Sequence, residues 1–186
     1  FSSDRLDANK QTVRSNWTGN GYIQMYFAKA KTDSTWAAPA PLPASINTTY
    51  HNGPASFHEK SQKLYFTRTY VVKRTASKSN PDPTSWFSGS DAGTHTNRHG
   101  IYIAERKGDK WDDAKPFKYN NTEQYSIGHP AITPDGKVLY FVSDMPGGYG
   151  ETDVYYSELQ ADGTWGKPVN AGSAINTTGR ESFTSI

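Results

Sequence analysis

Apolar and polar residues alternate in short runs along this chain, and no run is long. VLYFVS at Val138–Ser143 is the plainest case; KLYFTR at 63–68, GIYIAER at 100–106, DVYYSEL at 153–159 and the aromatic run at 22–28 follow the same rule. Period-two alternation over four to eight residues predicts strands, and the polar stretches between them, such as PDGK at 134–137 and QADG at 160–163, predict turns.

The strands recur in a fixed order. An opening strand at 131–133 leads through PDGK to a second at 138–143; a Gly-rich stretch, MPGGYGE, precedes the third at 153–159, and TWGKPV at 164–169 is the closing strand. The preceding unit repeats this with strands at 54–57, 63–68, 100–106 and 111–117. The chain begins within a unit: FSSD at 1–4 matches FVSD at 141–144, and strands at 22–28 and 36–42 follow. It ends with an opening strand at 182–186. Trp36, Trp111 and Trp165 mark one position in copies running 22–66, 101–141 and 154–186, and INTT at 46–49 returns at 175–178, displaced by the same 129 residues that separate Trp36 from Trp165. A unit of four short strands in about 40 residues is the size of a propeller blade.

The expected fold is therefore all-β, a β-propeller of four-stranded antiparallel blades. Residues 1–42 form a partial blade, 54–117 a blade with a long insertion at 69–99, 130–169 a blade, and 182–186 the first strand of the next. The insertion accounts for tryptophan spacings of 75 and then 54. About three blades are present where closed propellers have four to eight, so the chain is expected to be a segment of a larger propeller, its remaining blades coming from the same longer chain or from self-association. A sandwich with coincident tryptophan spacing is the alternative, and the repeated INTT, KxLYF and W-x-x-P patterns weigh against it.

Composition narrows the chemistry. Lys and Arg number 20 against 18 Asp and Glu, with no basic stripe, which argues against nucleic-acid binding. No segment approaches the roughly 20 apolar residues of a membrane-spanning helix. There is no cysteine, so thiolate chemistry and Cys-ligated metal are excluded. Four N-x-T sequons, at Asn16, Asn47, Asn120 and Asn176, read as polar loop chemistry.

The run PAITPDGKVLYFVSD, followed by GGYGETDVYYS and WGKPVNAGSAINT, resembles the TolB-type propeller repeat as it occurs in OmpA-family outer-membrane-associated proteins of Gram-negative bacteria. The resemblance covers nearly the whole chain and is strongest over 128–178; it weakens where HEKSQK at 58–63 replaces PDGK. It implies a periplasmic, outer-membrane-associated location, and in some members a link to type IX secretion. The repeated residues are structural, so the resemblance carries fold further than function.

Strand parity locates a working face. Opening-to-second and third-to-closing turns are compact, whereas the connections at 5–21, 43–53, 69–99, 118–129, 144–152 and 170–181 are long and fall together on the opposite end. His51, His95, His99 and His129 map there, with Trp86, Phe87, Tyr149, Arg180 and Glu181; His58 sits in a compact turn. The binding residues expected are His51, Trp86, Phe87, His129, Tyr149, Arg180 and Glu181, with capping of loop backbone as their structural alternative. His51 and His129 lack a near partner at metal-motif spacing, and His95 and His99 lie in loop-like GTHTNRHG. No G-x-S-x-G elbow and no phosphate-cradling loop occurs, and nothing selects a catalytic pair among Glu123, Asp144, Glu151 and Glu181. The expectation is a non-catalytic scaffold without cofactor or metal, binding a protein or peptide partner. The alternative is a carbohydrate-binding or carbohydrate-active propeller.

Overall fold

The computed structural model describes residues 1–5, 21–73 and 95–186. Among them the chain is all-β, with no helix, and its twelve strands form three antiparallel sheets. The first holds β1 (Ser2–Ser3), β2 (Gln24–Phe27) and β3 (Ala40–Pro41) in that order. The second runs β4 (Asn52–His58), β5 (Lys63–Lys73), β6 (His95–Lys107) and β7 (Lys110–Trp111), with β8 (Lys115–Pro116) also on β6. The third is β9 (Ile127–Ile132), β10 (Val138–Ser143), β11 (Asp153–Glu158) and β12 (Val169–Asn170). Each expected unit is thus one sheet, built in chain order.

Two expectations need correction. The insertion expected over 69–99 is narrower, because β5 continues to Lys73 and β6 begins at His95, with Thr69 paired to His99 and Lys73 to His95. The residues TYVVK and HTNRH satisfy each other's backbone groups in one ladder, so His95 and His99 lie on a strand rather than in a loop. Residues 182–186 carry no strand pairing; they run beside His129, whose carbonyl accepts from the Thr184 hydroxyl.

Side-chain parity explains the stacking. On β5, Leu64 and Phe66 point to one side, where they meet Met25, Leu42 and Ile46 of the first unit. Tyr65, between them, points to the other side and meets Ile127, Ile132, Leu139, Phe141 and Tyr155. On β6, Tyr102 and Ala104 join the first cluster and Ile101 and Ile103 the second. The middle sheet is covered on both faces, and burial of an aromatic or aliphatic side chain contributes about 1.5–3 kcal/mol. Trp111 packs in the layer between the first and second sheets and Trp165 in the layer between the second and third, edge-on to Tyr65 and Phe117.

One polar device recurs in all three units. The amide of Asn47 accepts from the Met25 N–H and donates to the Met25 carbonyl; Asn120 treats Ile101 in the same way, and Asn176 treats Val154 so. Each asparagine pairs its strand residue beside the backbone of the segment that follows, for the Met25, Ile101 and Val154 carbonyls also accept from the N–H groups of Leu42, Phe117 and Ala171. In the first and third units the turn delivering it is the same: the N–H groups of Ile46 and Asn47 share the Pro43 carbonyl, and those of Ile175 and Asn176 share the Gly172 carbonyl. The PDGK turn is closed by Gly136 N–H on the Thr133 carbonyl, and Gly136 has φ of +72°, a conformation glycine adopts at low cost.

Replacing Asn120 by Ala leaves the Ile101 N–H without a partner and its C=O with the Phe117 N–H alone, a loss of about 1–3 kcal/mol. An Asn120→Asp change keeps the acceptor but sets a carboxylate oxygen against the Ile101 carbonyl, so it recovers little. Thermal melts should show both variants folded and lower by several degrees, with Asp no better than halfway back to the parent.

Candidate functional site

Antiparallel order sends the β3-to-β4, β5-to-β6, β8-to-β9 and β10-to-β11 connections to one end of the sheets, and the compact turns to the other. The long-connection end is held by bonds between units. His51 Nδ1 accepts from the Ile23 N–H at 3.0 Å, and its ring lies edge-on to Tyr22 with centroids 4.9 Å apart. His129 Nδ1 accepts from the Phe183 N–H at 3.0 Å, and the two rings stack at 4.5 Å. The His129 N–H donates to Thr67 Oγ1 of the middle sheet. His99 Nδ1 is 3.2 Å from Thr69 Oγ1.

These three histidines share a neighbourhood, since His129 and His51 both disfavour the charged form of His99. Burial lowers all three below the ordinary imidazole range. His99 as a whole is exposed, so its shift weighs less than those of the part-buried His51 and His129. An Nδ1 that accepts a backbone N–H must be unprotonated, which makes His51 and His129 neutral rings with the hydrogen on Nε2. His129 also has φ of +54°, an uncommon backbone state that its bonds on both sides hold in place.

The remaining expected residues gather beside the third sheet. Tyr149 is exposed, and its backbone N–H donates to Asp153, as does that of Gly150. Asp153 is buried and also accepts from Asn170 Nδ2. A side chain at Gly148 would collide with the Asp153 carboxylate, so this loop requires glycine there. Arg180 pairs with Glu151, both exposed. Glu181 accepts from the N–H and hydroxyl of Thr177. Asp144 accepts from the Ser126 N–H and pairs with Arg98 at 3.0 Å. The structure therefore sets His51 and His129 each near His99, and Tyr149, Arg180 and Glu181 into a second group. Trp86 and Phe87 lie outside the described residues. Asp144 was expected at this end; Arg98 and Thr67 were not, and only the strand pairing of 69–73 with 95–99 shows where Arg98 faces.

A different feature lies toward the compact-turn end. A cavity of about 700 Å³ opens between the first and second sheets, lined by Phe27, Trp36, Ala55, Phe57 and Trp111, with Arg106 the one charged side chain among the described residues that line it. Its described lining holds none of the expected residues that the structure describes. Its apolar walls suit a chain segment more than polar chemistry. No group of three or more potential metal ligands occurs among the described residues.

Comparisons of the chain with protein-family models, curated proteins and solved structures find no match.

Lowered histidine pKa values give a sign to the pH response. The unfolded chain takes up protons near the ordinary imidazole value, about 6.5, before the folded chain does. Stability contributed by His51 and His129 is therefore complete above that pH and is lost as pH falls through their lower folded-state values. Denaturant titrations at pH 7.5 and 5.5 should give a lower midpoint at pH 5.5. A His129→Asn variant, which tolerates the positive φ and does not titrate, should show a smaller difference.

Proposed function

We propose that this chain is part of a β-propeller and serves as a non-catalytic scaffold, gripping a protein or peptide partner with its long-connection end. The observation that carries this reading is the serial stacking of three like sheets. Asn52 N–H bonds to the Ile23 carbonyl between the first and second units, and Glu181 N–H bonds to the Thr152 carbonyl between the third unit and the segment that follows it. Like sheets stacked in series build a disc, and a disc whose long connections share one end is a binding platform.

The state of the carboxylates favours binding over hydrolysis. Asp144, Glu151 and Glu181 are each committed to a backbone group, a hydroxyl or an arginine that fixes a loop. Exposed aromatic groups stand among them, Tyr149 and Phe183 being the largest. Aromatic and arginine anchors ringed by satisfied polar groups are what protein interfaces select. The resemblance of the repeat to OmpA-family outer-membrane-associated proteins supports a periplasmic location and a partner in envelope assembly or secretion.

A photo-crosslinking residue at Tyr149, and separately at Asp162 on the compact-turn end, tests the reading in Gram-negative cells expressing the protein. Covalent adducts with an envelope protein from position 149 alone are expected. Equal adducts from both positions, or none, overturn it. Glycan-array binding abolished by Tyr149→Ala would replace it with the carbohydrate reading.

A further inference from the structure

We infer that Arg68, Tyr70 and Tyr102 form a binding site for a small anion, of chloride or carboxylate type, at the junction of the first and second units. The inference needs neither the propeller reading nor its partner.

The site begins with a charge that the fold does not neutralise. Arg68 lies on β5, on the side that meets the first sheet. Its guanidinium carbon stands 4.2 Å from the centre of the Tyr102 ring and 5.3 Å from that of Phe66. Its Nη2 donates to the carbonyls of Ser45 and Ile46 at 3.1 and 3.0 Å, in the turn that delivers Asn47. The Arg68 Nε is buried without a hydrogen-bond partner, and among the described residues no carboxylate pairs with this guanidinium. A cation set among aromatic rings and bonded to carbonyls keeps its whole charge, whereas charges taken out of water are ordinarily paired.

A second donor stands beside it. Tyr70 follows two positions along the same side of β5. Gly100, opposite Arg68, leaves room for its ring: a Cβ at Gly100 would lie 3.3 Å from Tyr70 Cε2. The Tyr70 hydroxyl is buried and likewise has no partner. The rings of Tyr70 and Tyr102 are 5.9 Å apart. Burial raises the Tyr70 pKa most, Tyr102 raises it further and Arg68 opposes the rise, so both neighbours act at that hydroxyl. Buried polar groups find a partner in protein, water or an ion, and here an N–H and an O–H lie close together without an acceptor. An anion seated between them accepts from both, and Arg68 supplies its countercharge. Arg68 and Tyr70 are each part-exposed. A small swing of the Tyr70 ring therefore admits an ion and excludes anything large.

The next junction shows what the stack itself requires. Leu64 and Phe66 correspond to Leu139 and Phe141, which sets Arg68 where Ser143 stands in the third sheet. There a neutral hydroxyl makes the joint. Ser143 Oγ donates to the Ser126 carbonyl at 2.7 Å and accepts from the Met145 N–H. A serine suffices at that position, so the cation and two phenols of the first junction exceed what joining two sheets demands. An ion held by them ties the Ser45–Asn47 turn of the first unit to β5 of the second.

Melting of the 186-residue chain in sodium chloride and in sodium acetate, each against sodium fluoride at equal ionic strength, tests the site. Chloride or acetate should raise the midpoint by several degrees once well above its dissociation constant, and Arg68→Gln should remove that gain. Tyr70→Phe keeps the test sharp should Arg68→Gln fail to fold. Without the anion it should melt at or above the parent, because it deletes a hydroxyl that has no partner; with the anion it should gain less than the parent. Crystals grown in bromide should show the anomalous signal of the ion beside Arg68 Nε. An equal salt response in the parent and Tyr70→Phe overturns the inference. So does a Tyr70→Phe variant that melts below the parent without the anion, which would mean that the protein already supplies the missing acceptor.

Discussion

The structure depends on a sheet that has no solvent face. Leu64 and Phe66 leave β5 on one side and Tyr65 on the other, and each side finds apolar partners from a different sheet. Such a sheet cannot exist alone; it requires a neighbour before it and a neighbour after it. Every layer therefore creates the demand for the next, and stability is a sum of sheets and junctions rather than of one central core. The exposed Trp36 and Phe57 of the first layer mark where that demand goes unmet among the described residues.

Polar groups are arranged to serve the stack. Repeated asparagine amides finish the backbone pairing where strands run out, so the sheets remain short without leaving buried donors unpaired. Between sheets, histidine, threonine and serine side chains reach across, as at His129 to Thr67 and at Ile132 to Ser56. At the other end His58 touches the Pro134 carbonyl and lies against Gly136, tying two compact turns together. The ends of the stack are thus stitched by polar contacts and its middle is filled by apolar ones.

Much of this could be read in the sequence. The alternation in VLYFVS marks β10 over its observed span, and the tryptophan and INTT spacing divides the chain into the three sheets seen. Asp153 opens DVYYSEL directly after the Gly-rich stretch, and it bonds that stretch through the Tyr149 and Gly150 N–H groups. The limits have physical causes. TYVVK and HTNRH look like insertion because their partner lies across a polar stretch, and pairing between distant segments leaves no local signature. The His51–Ile23 and His129–Phe183 bonds join residues 28 and 54 positions apart, and a ring nitrogen accepting a backbone N–H has no motif.

The asparagine clamps bear on how such a protein is produced. Asn47, Asn120 and Asn176 each belong to an N-x-T triplet, and each spends its amide nitrogen on a main-chain carbonyl. A sugar attached to that nitrogen during synthesis removes a hydrogen the fold uses and places a bulky group inside a turn. A eukaryotic secretory host that glycosylates these triplets would therefore modify the residues that align the third strands, whereas a bacterial host without that machinery leaves them free to do so.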